Sequence, residues 1–186
     1  MKRTYPLILC LILIGGLFSC TQKSEYEQLV DRELSRDVRM DSLFLGYYFG
    51  MPLDEFLSHS LQLNQQQRIT GGSKIKYRND QLDHIAIMEF YPEFRDREIV
   101  ELPIEVQYEG WAPWNTHLAS DSLIVALIDH YEDRYNTSFI THTFEGDEMP
   151  SYVAVQGNRQ IRIYRKNTQL AGVDFIDLTA QVNNSQ

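Results

Sequence analysis

The chain has 186 residues, 43% of them hydrophobic, 12% aromatic and 23% charged, with 17 Lys and Arg against 26 Asp and Glu and a formal charge of −9. This apolar fraction excludes a wholly disordered polymer, and the length suits one domain. The acidic balance excludes a nucleic-acid partner, since phosphate-backbone binding requires a basic face that displaces counterions.

Lys2 and Arg3 precede Tyr5-Pro6 and an apolar run from Leu7 to Leu17 that closes on Leu17-Phe18-Ser19-Cys20. A basic start followed by an apolar stretch too short for a comfortable span reads as a secretory signal over residues 1–19. Cysteine directly after Leu-Phe-Ser resembles the lipobox of bacterial lipoproteins. The resemblance implies lipid attachment at Cys20: a diacylated sulfur, cleavage before the cysteine, and palmitate or a similar acyl chain on the new amino group. Several chains, each adding about 0.8 kcal/mol per buried methylene, hold a protein at a bilayer far better than one. An ordinary cleaved signal or an uncleaved anchor is the plainer alternative. Thr21 stands where an Asp would imply inner-membrane retention, so outer-membrane delivery is expected, on the periplasmic or the cell-surface side.

Cys10 would leave with the signal, so no intramolecular disulfide is possible in the mature chain. Loss of Lys2 and Arg3 takes the formal charge from −9 to −11. Anionic headgroups repel such a body, so the lipid and not surface charge is expected to make the membrane contact.

Residues 20–41 read as a tether and a loosely docked helix, because Leu29, Leu34 and Val38 form only a thin apolar stripe. Residues 42–182 are expected to form the folded domain, followed by a tail at 183–186. Leu43 to Phe49 reads as a strand or buried extended segment. Pro52 suits the first turn of a helix reaching about Gln65, with Asp54 and Glu55 at its positive end and Leu53, Phe56, Leu57 and Leu61 on the packing face. Strands are expected at 74–78, 83–91 and 100–108. In the last, Val100, Leu102, Ile104, Val106 and Tyr108 alternate with polar residues, which predicts one buried and one wet face. Pro103, which lacks a donor, predicts an edge position or a bulge.

A second helix, capped by Thr116 or Ser120, carries Leu123, Leu127, Ile128, Tyr131 and Tyr135 and closes at Asn136. Strands are expected at 139–144, 152–156, 160–165 and 170–178, with Gly157-Asn158 as a hairpin turn. The order predicts an α+β fold: two tandem helix-plus-antiparallel-strand repeats, at about 50–110 and 115–180, forming a mainly antiparallel sheet with helices on one face. It resembles the tandem repeats of β-lactamase inhibitor proteins, and Gly50-Met51-Pro52-Leu53-Asp54-Glu55-Phe56 is similar to the helix entry of small barrel-assembly lipoproteins. The blocks Leu43-Phe44-Leu45-Gly46, Phe49-Gly50-Met51, Phe90-Tyr91-Pro92-Glu93-Phe94, Trp111-Ala112-Pro113-Trp114-Asn115 and Asp177-Leu178 resemble an uncharacterised lipoprotein family typical of Bacteroidota. That likeness implies a cellular setting and no activity. Relatives of this kind often carry Cys-Trp where this chain has Ser60-Leu61.

No nucleophile elbow, zinc-protease helix, Walker loop or dinucleotide fingerprint occurs, so no catalytic residue, metal ligand or cofactor is assigned and an enzyme is not expected. Gly71-Gly72-Ser73-Lys74 reads as a turn. Asp129, His130 and Asp133 read first as a solvated helix face and second as metal ligands; Glu145-Gly146-Asp147-Glu148 reads as an acidic turn before a calcium loop. Glu89 and Glu93 form a candidate acid–base pair. The candidate binding patch is Tyr91, Phe94, Tyr108, Trp111 and Trp114, whose rings either plug a seam between the repeats or anchor a partner. The function expected first is a non-catalytic, outer-membrane-anchored module that binds another envelope protein. Alternatives are a glycan-binding accessory lipoprotein using Trp111 and Trp114, and an envelope hydrolase.

Overall fold

A computed structural model describes residues 23–182; the signal at 1–19, the acceptor Cys20 and the tail 183–186 lie outside the described residues. No helix among the described residues is long and apolar enough to cross a membrane.

Helix α1 (Glu25–Leu34) begins in a reciprocal capping box between Ser24 and Glu27. It is docked more firmly than its thin aliphatic stripe predicts. Leu29 is buried with Val153, Val155 and Leu178, and the Tyr26 ring stacks on His142 at 4.5 Å while its hydroxyl donates to Gln160 over 2.6 Å. An aromatic ring with a polar tip does what missing leucines would otherwise do.

Leu43 to Phe49 forms a tight turn in place of the expected strand. Leu45 and Gly46 both adopt positive φ, 57° and 86°, and the Leu43 N–H donates to the Tyr47 carbonyl at 2.9 Å. Two consecutive positive φ values give the mirror-image turn that reverses a chain most tightly. The reversal drives Leu43, Phe44, Tyr47 and Phe49 into the core from a few residues of chain.

Helix α2 (Leu53–Gln65) buries Phe56 and Leu63 and turns Leu57 and Leu61 to solvent, 53% and 60% exposed, correcting the expected packing face. At 3.6 residues per turn, burial of positions 56 and 63 places 57 and 61 on the helix flank. Gln67, in the left-handed region at φ 57°, ends the helix, and the Arg68 N–H closes back onto the Leu63 carbonyl at 3.0 Å.

Nine strands follow: β1 (Ile69–Thr70), β2 (Ile75–Asn79), β3 (Ala86–Phe90), β4 (Glu93–Arg95), β5 (Glu98–Tyr108), β6 (Ile140–His142), β7 (Ser151–Gln156), β8 (Arg159–Arg165) and β9 (Ala171–Asp177). Helix α3 (Ser120–Tyr135) lies between β5 and β6, and α4 (Leu178–Val182) follows β9. All strands join one antiparallel sheet in the order β1-β2-β3-β5-β9-β8-β7-β6, with β4 pairing β5 beyond the end of β3. The fold is therefore α+β with a mainly antiparallel sheet. Asn136 closes α3 in the left-handed region as its sequence predicts. The expected side-chain cap is replaced: Ala119 holds the cap position, and buried Ser120 donates its hydroxyl to the Asn167 carbonyl at 2.6 Å.

The strand β5 sits in the centre of the sheet, between β3 and β9, so Pro103 is not at an edge. On one flank β3 ends opposite Ile104 and β4 begins opposite Glu101. Pro103 falls in that gap, where the ladder is already interrupted and a missing donor costs least. One sheet face carries Met88, Phe90, Leu102, Ile104, Val106, Val173 and Phe175 in a single core with residues from α2 and α3. The other face carries Lys76, Glu89, Glu101, Glu105, Arg162 and Asp174, and α1 packs there against β7.

Candidate functional site

Over the β2–β3 end of the sheet, α2 and α3 leave a cleft of about 470 Å³. Its walls come from six separated segments: the 44–46 turn, α2, Arg68, β2 with the residues just after it, β3, and α3. The turn is pinned to α2, because the His59 ring nitrogen Nε2 lies 2.8 Å from the Leu45 carbonyl and a Cβ on Gly46 would come within 3.1 Å of that ring. A non-glycine residue held at positive φ stores backbone strain, and here the strained residue sits on the rim. Phe44, Tyr77 and Met88 supply the apolar wall. At the floor, buried Asn79 accepts from the Gln81 N–H at 2.9 Å, while its amide nitrogen meets only the Met88 sulfur at 3.6 Å, a weak acceptor. Burial, with Arg134 adding to it and Asp133 opposing, holds His130 below the ordinary imidazole range, so this ring is neutral at physiological pH.

A neighbouring hollow of about 590 Å³ lies between α3 and the β2–β3 loop and holds Asp83, Asp129, His130 and Asp133. No group of three or more His, Cys, Asp or Glu is placed to hold a metal among the described residues. Glu145-Gly146-Asp147-Glu148 forms a turn whose Asp147 pairs with Arg162 at 2.6 Å. Glu89 pairs with Lys76 at 2.6 Å, whereas Glu93 faces Glu101, so the two acids weighed as a pair serve different neighbours. Lys74 of the glycine turn pairs with Glu105 across the sheet.

The five aromatic residues of the candidate patch fall into two groups at opposite ends of β5. Phe94 stands opposite Ile99, and Tyr108 lies nine positions further along the strand, a separation of about 30 Å at 3.3 Å per residue. Tyr91 and Phe94 pack their rings on Phe56 at 5.6 and 5.4 Å. At the other end, Tyr108 is buried and donates to Asp83, Trp111 is half-buried against the core, and Trp114 stands 81% exposed. Trp111 and Trp114 therefore differ in setting and do not present paired faces. We expect iodide to quench one fraction of the tryptophan fluorescence and Trp114→Phe to remove that fraction; a wild-type spectrum inaccessible to iodide would contradict the exposed ring.

Glu101, Asp174 and Glu93 form a cluster assembled by strand register that the sequence does not announce. Burial pushes Glu101 up to about 7, with the charges of Glu93 and Asp174 adding to it. Burial also pushes Asp174 up to about 6 against the attraction of Arg162, and Tyr164 beside them rises to about 12. Period-2 alternation places Glu101 on the polar face, but only the register through β9 brings Asp174 diagonally beside it. Both acids titrate higher folded than unfolded, so the stabilising contribution of each is fully present below its unfolded value, 4.5 for Glu101 and 3.8 for Asp174, and is lost as pH rises through about 7 and about 6 respectively. Glu101→Gln should therefore stabilise the protein at pH 8 by about 1 kcal/mol, allowing for partial exposure, and leave it unchanged at low pH. Thermal melts at the two pH values check this; parallel shifts would contradict it.

The chain matches no protein-family model, no curated protein and no solved structure.

Proposed function

We propose that the protein is an outer-membrane-anchored lipoprotein of the cell envelope, of the kind seen in Bacteroidota, that binds another envelope protein without catalysis. The observation that carries this reading is the exposed apolar flank of α2, where Leu57 and Leu61 stand one turn apart and over half exposed. Tyr91, 45% exposed, is in ring contact with Phe56 of the same helix. Adjacent exposed apolar side chains lose their hydration cost only when a partner covers them. The two-repeat reading is supported by the order of elements, since a helix precedes each meander and the last strands, β5 and β9, pair with each other. Glycan stacking is less favoured, because Trp111 does not share the exposure of Trp114. Hydrolysis is also less favoured, because Glu101 and Asp174 line neither of the two large cavities.

The test crosslinks the acylated protein in native membranes and compares its adducts with those of the Leu57→Asp, Leu61→Asp double variant. One defined adduct heavier than a self-dimer, lost in the double variant at unchanged thermal stability, is the expected result. Identical adducts from both proteins, or a self-dimer alone, would contradict the reading.

A further inference from the structure

The cleft over β2 and β3 is electrostatically unlike the rest of the molecule. The chain has 26 acidic residues, yet none lines this cleft, which holds Arg68, Arg134, His59 and His130. Among the described residues the other Lys and Arg side chains are all engaged: most sit in ion pairs, Arg95 donates to the Ala180 carbonyl, and Arg159 donates to Ser42 and Gln156. Arg68 and Arg134 have no ion pair or side-chain hydrogen bond among those residues, and Arg134 has only a Tyr135 ring at 5.7 Å. Both open onto the same cleft. Two permanently charged guanidinium groups without an ion-paired carboxylate give the cleft a positive lining.

A second observation points the same way. Asn79 is 4% exposed and lines the cleft, and its amide nitrogen has only a sulfur for a partner. Buried donors without good acceptors are costly unless a ligand supplies them. The rim is held in place by the Leu45 carbonyl and His59, so little ordering is left for a ligand to impose.

We propose that this cleft is a binding site for a small phosphate monoester. The phosphoryl group would lie between Arg68 and Arg134, with Asn79 as a neutral donor, and the esterified group would lie against Phe44, Tyr77 and Met88. Charge decides the class: two fixed cations match the near −2 charge of a phosphate monoester at neutral pH and overmatch a single carboxylate. The apolar wall selects an ester over inorganic phosphate. The site is independent of the exposed flank of α2 and stands whether or not that flank docks a protein.

Isothermal titration calorimetry of the full-length protein in detergent tests the site, with phenyl phosphate, inorganic phosphate and benzoate as probes. Phenyl phosphate is expected to bind saturably at one site, about tenfold tighter than either other probe. Arg68→Gln and Arg134→Gln should each weaken it about tenfold, while Arg97→Gln, which loses only a surface pair with Asp54, leaves affinity unchanged. Since neither cleft arginine makes an ion pair or side-chain hydrogen bond among the described residues, both variants should unfold at the wild-type temperature without ligand. The proposal is overturned by absence of saturable binding, by benzoate binding as tightly as phenyl phosphate, or by an equal loss in Arg97→Gln.

Discussion

Replacing Cys20 with Ala is expected to abolish palmitate incorporation completely, leave the signal uncut and stop delivery to the outer membrane. The effect is all-or-none because the acylated sulfur is the membrane contact in the proposed function, and the folded body, at formal charge −9 with the leader and −11 without it, gains nothing from anionic headgroups. Stable anchoring by lipid requires at least two acyl chains, and the Cys20→Ala variant would carry none. Metabolic labelling followed by membrane fractionation measures this. An unlabelled wild-type protein, or a Cys20→Ala variant that still reaches the outer membrane, would contradict the anchor.

The second large effect is expected at the β7–β8 hairpin. Gly157 has φ 57°, and a Cβ there would lie 2.1 Å from the Val38 carbonyl oxygen, well inside contact distance. The same tip clasps the chain leading into the domain: the Gly157 N–H donates to Glu33, and the Asn158 side chain accepts from the Met40 N–H at 2.6 Å and donates to Asp41 and Asp177. Arg159, buried beside them, donates to the Ser42 carbonyl at 2.7 Å and lies over the Tyr135 ring at 4.0 Å. Gly157→Ala therefore adds backbone strain to a backbone collision and loosens every one of these contacts. We expect a loss of about 3 kcal/mol, combining about 1 for positive φ with about 2 for overpacking, or about 9 °C in melting temperature for a chain of this size. Gly50→Ala is the control: its φ is 79°, but no atom lies within 4 Å of the added carbon, so only the strain should register. Equal melting temperatures for the two variants would contradict the clasp.

The sequence makes legible those features that depend on local period and turn chemistry. Leu102, Ile104, Val106 and Tyr108 alternate into the core as the pattern predicts, Gly157-Asn158 is a two-residue hairpin loop, and Asn136 closes its helix. What escapes is set by pairing partners far away in the chain. Pro103 reads as an edge residue because nothing local says that β9, seventy residues on, returns to cover β5. Tyr26 and Glu33 anchor α1, yet a count of aliphatic residues passes over both. The helix α2 offers several apolar positions, and only the location of the sheet decides that Phe56 and Leu63 go in while Leu57 and Leu61 stay out.

The cleft escapes for the same reason. Arg68 follows a helix end and Arg134 sits in a charged helical stretch, and each alone reads as a solvated cation. Their significance rests on two facts of the fold: both face one cavity, and no carboxylate lines it. The acid cluster of Glu101 and Asp174 is likewise a product of register, since the two residues are remote in sequence and diagonal in the sheet.

Site-specific photocrosslinking in native membranes tests the central claim, that a tethered body docks a protein through the flank of α2, most directly. A photoreactive residue at position 57 or 61 should each yield the same single heavier adduct, and one at the exposed turn position 168 should yield none. Adducts of equal yield at all three positions, or none at 57 and 61 where the protein is fully folded and anchored, would contradict it.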